Sequence, residues 1–157
     1  MSTLDRHSLA RRRVLRATAA LAALRAVSPH AAVVADLPAA PGLAEYLAGR
    51  APQFGRLVLD VPRLADNGNA VPMKLTMAGP FATGAHLRSI RLYSEKNPVP
   101  LMARFEYPSP SPRAEIESRI RLAGTQRIAA IAELANGELH AAVADIVVTI
   151  AACLDGT

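Results

Sequence analysis

Val71-Pro72-Met73-Lys74-Leu75-Thr76-Met77-Ala78 sets an apolar side chain at every second position, and that period decides the fold. Successive side chains of a strand point to opposite faces, so Val71, Met73, Leu75 and Met77 are expected on a buried face and Lys74 and Thr76 on a solvated one. Ile116, Ser118, Ile120 and Leu122 alternate in the same way with Glu117, Arg119 and Arg121. Further strands are expected over 57–61, 87–94, 101–107, 127–134 and 139–150. Asp66-Asn67-Gly68-Asn69 and Asn136-Gly137 supply turns between them, the second as a two-residue hairpin signal between apolar runs. Pro72 belongs at a strand start or on an edge. The run Pro108-Ser109-Pro110-Ser111-Pro112 cannot donate to a ladder and must be a loop. About seven short strands separated by turns argue for an all-β, antiparallel β-sandwich.

Upstream of this domain, residues 36–56 hold Pro38, Pro41, Gly42, Pro52 and Gly55 around Leu43-Ala44-Glu45-Tyr46-Leu47-Ala48. That composition predicts one or two turns of helix in an N-terminal extension, ahead of a sandwich over 57–150. No internal repeat of helical-solenoid length is present.

The formal charge of +5 suggests a polyanion partner until the charges are located. Residues 1–35 hold six of the eighteen basic side chains (Arg6, Arg11, Arg12, Arg13, Arg16 and Arg25) and one of the thirteen acids, Asp5. The remaining 122 residues therefore carry twelve of each sign. Nucleic-acid binding needs a basic face on the folded domain, and here the excess sits in a leader, so a nucleic-acid partner is not expected.

Ala10-Arg11-Arg12-Arg13-Val14-Leu15-Arg16, followed by the mildly apolar Ala17–Leu24 and by Val33-Val34-Ala35, resembles a twin-arginine export signal with cleavage after Ala35. It departs from that pattern at Ala10, at Val14 and at Arg25, which interrupts the apolar run. An exposed amphipathic helix or an organellar transit peptide is the alternative. No stretch reaches the roughly 18 apolar residues of a spanning helix, so the mature chain is expected to be soluble, in the periplasm.

Export changes the meaning of Cys153, the only cysteine. It cannot form an intramolecular disulfide, and thiols in an oxidising compartment tend to pair, so an unpaired one points to an intermolecular or reactive role. The alternative is a small apolar packing residue. A carrier needs a nucleophilic sulfur on a flexible arm with small neighbours, which residues 151–157 would provide: Ala151 and Ala152 precede the thiol, and Leu154, Asp155 and Gly156 follow it. With a reference pKa of about 8.5, an exposed thiol is partly thiolate at neutral pH.

Other chemistries find less support. His7 and His30 fall in the leader, leaving His86 and His140 without a second cysteine to complete a metal site. Met73, Met77 and Met102 could suggest a soft metal, but Met73 and Met77 share the apolar face expected in the core. Ser89, His86 and Asp60 could be drawn as a hydrolase triad, yet no motif supports the choice. No glycine-rich phosphate loop is present. Arg88, Arg91, Arg119, Arg121 and Arg127 alternate with apolar positions and read most simply as a solvated sheet face, with anion steering or partner docking as the alternative.

Several segments together resemble the SoxY family of sulfur carriers: Asp66-Asn67-Gly68-Asn69-Ala70-Val71-Pro72, Arg91-Leu92-Tyr93-Ser94-Glu95-Lys96-Asn97-Pro98, Ala103-Arg104-Phe105, Arg119-Ile120-Arg121-Leu122-Ala123-Gly124-Thr125-Gln126 and Val148-Thr149-Ile150 before Cys153. The resemblance spans roughly residues 55–153 in order and spacing. It implies an immunoglobulin-like sandwich that pairs with a second small sandwich subunit, SoxZ, and offers its C-terminal cysteine to periplasmic enzymes. A c-type cytochrome would attach thiosulfate to Cys153 and a hydrolase would release sulfate. The chain itself would need no cofactor and would be a covalent carrier, not an enzyme. The family's tail usually ends Gly-Gly-Cys-Gly-Gly. Here alanine restricts the arm, Leu154 adds bulk and Asp155 places negative charge beside an anionic adduct. A non-carrier immunoglobulin-like interaction module is the competing reading.

Overall fold

A computed structural model describes residues 37–111 and 113–152. The expected export signal, residues 1–35, lies outside them. Nine strands form two facing sheets: β1 (Gln53–Phe54), β2 (Leu57–Asp60), β3 (Leu64–Asn67), β4 (Val71–Ala78), β5 (Leu87–Ser94), β6 (Leu101–Glu106), β7 (Arg113–Ile120), β8 (Gln126–Leu134) and β9 (Leu139–Ile150). The larger sheet runs β1-β9-β8-β5-β6, with β3 also paired to β9, and the smaller runs β2-β4-β7. The all-β sandwich expected from the alternating segments is the observed architecture.

Its core is the meeting of two alternating faces. Val71, Met73, Leu75 and Met77 of β4 and Ala114 and Ile120 of β7 are buried against Ile90 and Leu92 of β5, Ile128, Ala130 and Ala132 of β8, and Ile146 and Val148 of β9. β4 is central in its sheet, yet Pro72 fits there: it is the second residue of the strand, and pairing with β2 reaches no further than Asp60 opposite Lys74.

Two strands escape the period-two pattern. β1 and β3 run parallel to β9 on one edge, β1 at its start (Gln53 opposite His140) and β3 at its end (Leu64 opposite Val147, Asn67 opposite Ile150). Between them the chain crosses to the smaller sheet as β2, so a single edge is covered in two pieces. The sandwich is thus antiparallel except along this edge. The β8–β9 hairpin also differs from expectation. Gly137 N–H donates to the Leu134 carbonyl (2.9 Å), Leu134 N–H donates to the Glu138 carbonyl (2.9 Å), and Gly137 sits at φ 86°. This is a three-residue loop over 135–137 whose last position requires the left-handed region, not a two-residue turn. Asn136 Oδ1 steadies it by accepting from Glu138 N–H at 3.1 Å.

The expected N-terminal helix is α1 (Leu43–Leu47). Its buried Leu43 and Leu47 are four residues apart, hence on one face, and seat it on the outer face of the larger sheet with Leu37, Ala40, Tyr93, Ala129, Ile131, Leu139 and Ala141. The larger sheet is therefore apolar on both faces over its middle, which explains why β8 reads as a nearly unbroken apolar run.

His140 sits under this construction, 2% exposed, and neither ring nitrogen has a hydrogen-bond partner among the described residues. Burial first, then the Arg56 charge, holds its pKa below the usual histidine value, with Glu138 opposing. A folded pKa below the unfolded one means the unfolded chain binds more protons, so stability is lost as pH falls through the histidine range. Urea midpoints are expected to drop between about pH 7.5 and pH 5, and His140→Leu to remove part of that drop. An identical pH dependence in His140→Leu would exclude the group as its source.

Candidate functional site

The end of β9 is fixed by backbone contacts that converge from three parts of the chain. Ala152 is buried, and its N–H donates to the Leu122 carbonyl at 3.1 Å, while Leu122 N–H donates to the Gly68 carbonyl at 2.8 Å. Gly68 opens a 3-10 turn over Gly68–Ala70, with Asn67 Oδ1 accepting from Asn69 N–H at 2.9 Å. A Cβ on Gly68 would stand 2.4 Å from the Leu122 carbonyl oxygen and 2.8 Å from Ala152 N. Only glycine allows this approach. The Asp66-Asn67-Gly68-Asn69 run, expected as a plain turn, is the end of β3 followed by this clamp.

A second layer holds Leu122 in place. Asn97 Nδ2 donates to the Arg121 carbonyl (2.8 Å), and its Oδ1 accepts from Ala123 N–H (2.9 Å) and Gln126 Nε2 (3.0 Å). Gln126 is buried, and its Oε1 accepts from Lys96 N–H at 2.8 Å. Thr125 Oγ1 accepts from Val148 N–H at 3.0 Å, tying the same loop to the last strand. The Asn97 side chain therefore ties the 95–100 loop to residues 121–126, its amide donating once and its carbonyl oxygen accepting twice.

Four of the five segments that carry the sequence resemblance meet here: 66–72, 91–98, 119–126 and 148–150. The fifth, Ala103–Phe105, lies on β6 and packs toward the core. Cys153, Leu154, Asp155 and Gly156, expected as attachment point and arm, lie outside the described residues. Ala151 is exposed, whereas Ala152 is 4% exposed and hydrogen-bonded. An arm that is free from residue 151 onward does not describe Ala152, because the Gly68–Leu122 clamp holds it. Sequence reasoning missed Gly68, Asn97 and Gln126. The only available signal was polar and glycine residues interrupting otherwise alternating stretches.

Near this clamp, Leu64 (59% exposed) and Val147 (51%) pair on one face of the β3–β9 edge, and Ile150 (63%) lies on the other face at the strand end. On the opposite side of the sandwich, the edges of β6 and β7, unpaired among the described residues, leave an open groove of about 480 Å³ lined by Met73, Leu101, Met102, Phe105, Ile120 and Arg121 among others. Met73 and Met77 belong to the core, as the alternation implied.

The remaining candidates stay apart. Asp60 ends β2 in the smaller sheet, Ser89 is buried on β5, and His86 precedes β5, so they are not presented together on one element. Among the described residues, no three His, Cys, Asp or Glu side chains group as a metal site. Among them, too, no helix is long and apolar enough to cross a membrane. The arginines do not form a uniform solvated face: Arg127 pairs with Asp145 at 3.3 Å, while Arg91 lies beneath Tyr46, its guanidinium carbon 3.8 Å from the ring centroid.

Comparison with known proteins follows the same boundaries. The family model described as sulfur oxidation protein SoxY matches residues 43–153, from α1 through the cysteine. No curated protein matches. Similar solved structures include a superoxide reductase (neelaredoxin) from Ignicoccus hospitalis, 16% identical over 60% of this chain and 80% of that one, TM-score 0.46. A putative superoxide reductase from Thermotoga maritima is 16% identical over 61% of this chain and 86% of that one, TM-score 0.46. A hypothetical protein from Pyrococcus horikoshii OT3 is 18% identical over 60% and 95%, TM-score 0.43. Likenesses at this level carry no argument about what this chain does.

Proposed function

The chain belongs to the SoxY family of sulfur oxidation proteins, and from that premise we propose that it is a periplasmic covalent carrier that holds sulfur intermediates on Cys153 and presents them to partner enzymes. The observation that carries this reading is that the family match runs to the solitary cysteine and ends on it. The clamp at Gly68, Leu122 and Ala152 supports it mechanically: the residue immediately before the thiol is held by the domain, so the domain's docking would set where the thiol is offered.

The chemistry asked of the chain is small. The Cys153 thiol and thiosulfate join through a new S–S bond, losing one proton and two electrons to a c-type cytochrome partner. Water then cleaves the terminal S–S bond of the adduct in a hydrolase, giving sulfate, a proton and a persulfide on Cys153. The partners supply oxidant and catalytic groups; the carrier supplies the sulfur and its placement. The exposed Leu64 and Val147, paired across β3 and β9 on one face of the edge that leads to the clamp, suit a surface that partner enzymes cover when the thiol is presented. The open β6 and β7 edges suit a lasting subunit such as SoxZ, because unpaired edges call for cover. Export by the twin-arginine leader would bring the chain to that compartment.

Intact mass spectrometry on protein recovered from host cells growing on thiosulfate tests the proposal. A reductant-labile, sulfur-containing mass increase, absent in Cys153→Ser, is the expected result. An unmodified thiol throughout would overturn it in favour of a non-carrier interaction module, as would a thiol that alkylates only after unfolding.

A further inference from the structure

We propose that the outer face of the larger sheet carries a binding site for a small, doubly charged oxoanion, in the hollow between α1 and the start of β5. The hollow measures about 370 Å³ and is lined by Arg50, Arg88, Arg91, Arg104, Glu106 and Glu133, with Tyr46 and Tyr107 at its sides. Four guanidiniums face two carboxylates, and both carboxylates are already committed. Glu133 accepts from Arg50 Nη1 at 3.1 Å and from the Tyr46 hydroxyl at 2.7 Å, and Glu106 pairs with Arg104. Arg88 and Arg91 make no ion pair within 4 Å among the described residues; Arg88 acts on Glu133 only at longer range, on a carboxylate that Arg50 already holds, so the concave site keeps an excess of two positive charges.

Arg91 is preorganised. Tyr46 covers its guanidinium at 3.8 Å, α1 holds Tyr46 in place, and the buried Nε of Arg91 has no hydrogen-bond partner among the described residues. An unmade hydrogen bond on a buried donor is costly, and a planar guanidinium fork matches the oxygen spacing of an oxoanion. Tyr46 adds no competing charge: burial first, then its hydrogen bond to Glu133, pushes its pKa up to about 12. Two unpaired guanidiniums in a hollow of this size suit a compact dianion better than an extended acidic chain.

The site is separate from the carrier chemistry. Glu133 pairs with Leu139 at the start of β9, whereas the clamp lies beyond Ile150 at its other end. The strand between spans about 35 Å at the usual rise per residue. Its occupancy is therefore independent of the reading of Cys153.

Equilibrium dialysis of the full chain against radiolabelled sulfate, in about 150 mM sodium chloride so that nonspecific surface charge is screened, is the test. Saturable binding of one sulfate per chain is expected, competed by thiosulfate and undiminished in Cys153→Ser. Arg88→Gln, an exposed position, should weaken it at least about tenfold without altering the thermal midpoint, and Arg91→Gln should do the same or more. Absence of saturable binding, retention of full affinity in Arg88→Gln, or equal competition by the monoanion acetate would each overturn the proposal.

Discussion

Gly68→Ala is expected to lower stability by about 2–3 kcal/mol, at the upper end of what overpacking costs, and to expose the Ala152 amide to exchange. The added Cβ meets the Leu122 carbonyl oxygen at 2.4 Å and Ala152 N at 2.8 Å. Both are backbone atoms, so neither can rotate away, and the neighbouring Val148 side chain at 3.1 Å closes the third direction. Relief requires separating the 3-10 turn from Leu122 or Leu122 from Ala152, which breaks the hydrogen bonds that hold the end of β9. Gly84→Ala is the control. There a Cβ meets nothing within 4 Å and only the φ of 79° resists it, so about 1 kcal/mol is expected. Urea midpoints with amide exchange at Ala152 distinguish the two. Equal losses, or an Ala152 amide still protected in Gly68→Ala, would show that the clamp does not hold the strand end.

That prediction marks where the sequence stopped being informative. The alternation in β4 placed four core residues on the correct face, because a period of two follows from strand geometry alone. The run 43–48 between prolines and glycines disclosed α1, though not that the helix would cover the outer face of the larger sheet. β1 and β3 stayed hidden: at two and four residues they carry no period, and their pairing is decided by the edge of β9, some eighty residues downstream in sequence. The reading of Cys153, which lies outside the described residues, rests on the residue's own chemistry. The role of Gly68 was not legible, because Asp-Asn-Gly-Asn is also good turn chemistry, and the close approach that requires glycine exists only once three distant segments meet. That Tyr46 covers Arg91 was hidden for a similar reason, since the ring comes from a helix forty-five residues earlier.

Leu75→Ala is expected to destabilise the whole molecule by about 3–4 kcal/mol, within the usual range for a fully buried leucine. Leu75 is 0% exposed on the central strand of the smaller sheet, opposite Leu59 on one side and Ile116 on the other, where strands on both sides limit collapse into the cavity. Leu47→Ala removes the same atoms from a site 3% exposed, yet the consequence should be local. α1 has five residues, no side-chain cap and a place on the outer face, so the segment can lift away while the sandwich stays folded. Its cost cannot exceed the free energy that docks the segment, which low local stability keeps near about 2 kcal/mol. Exchange should then accelerate at every core amide in Leu75→Ala. In Leu47→Ala the acceleration should be confined to the helix and the strand residues beneath it, around Ala129 and Ile131. Because α1 holds Tyr46 over Arg91, the local variant should also lose sulfate binding while keeping a folded sandwich, whereas a global loss in Leu47→Ala would mean that both faces of the larger sheet unfold as one unit.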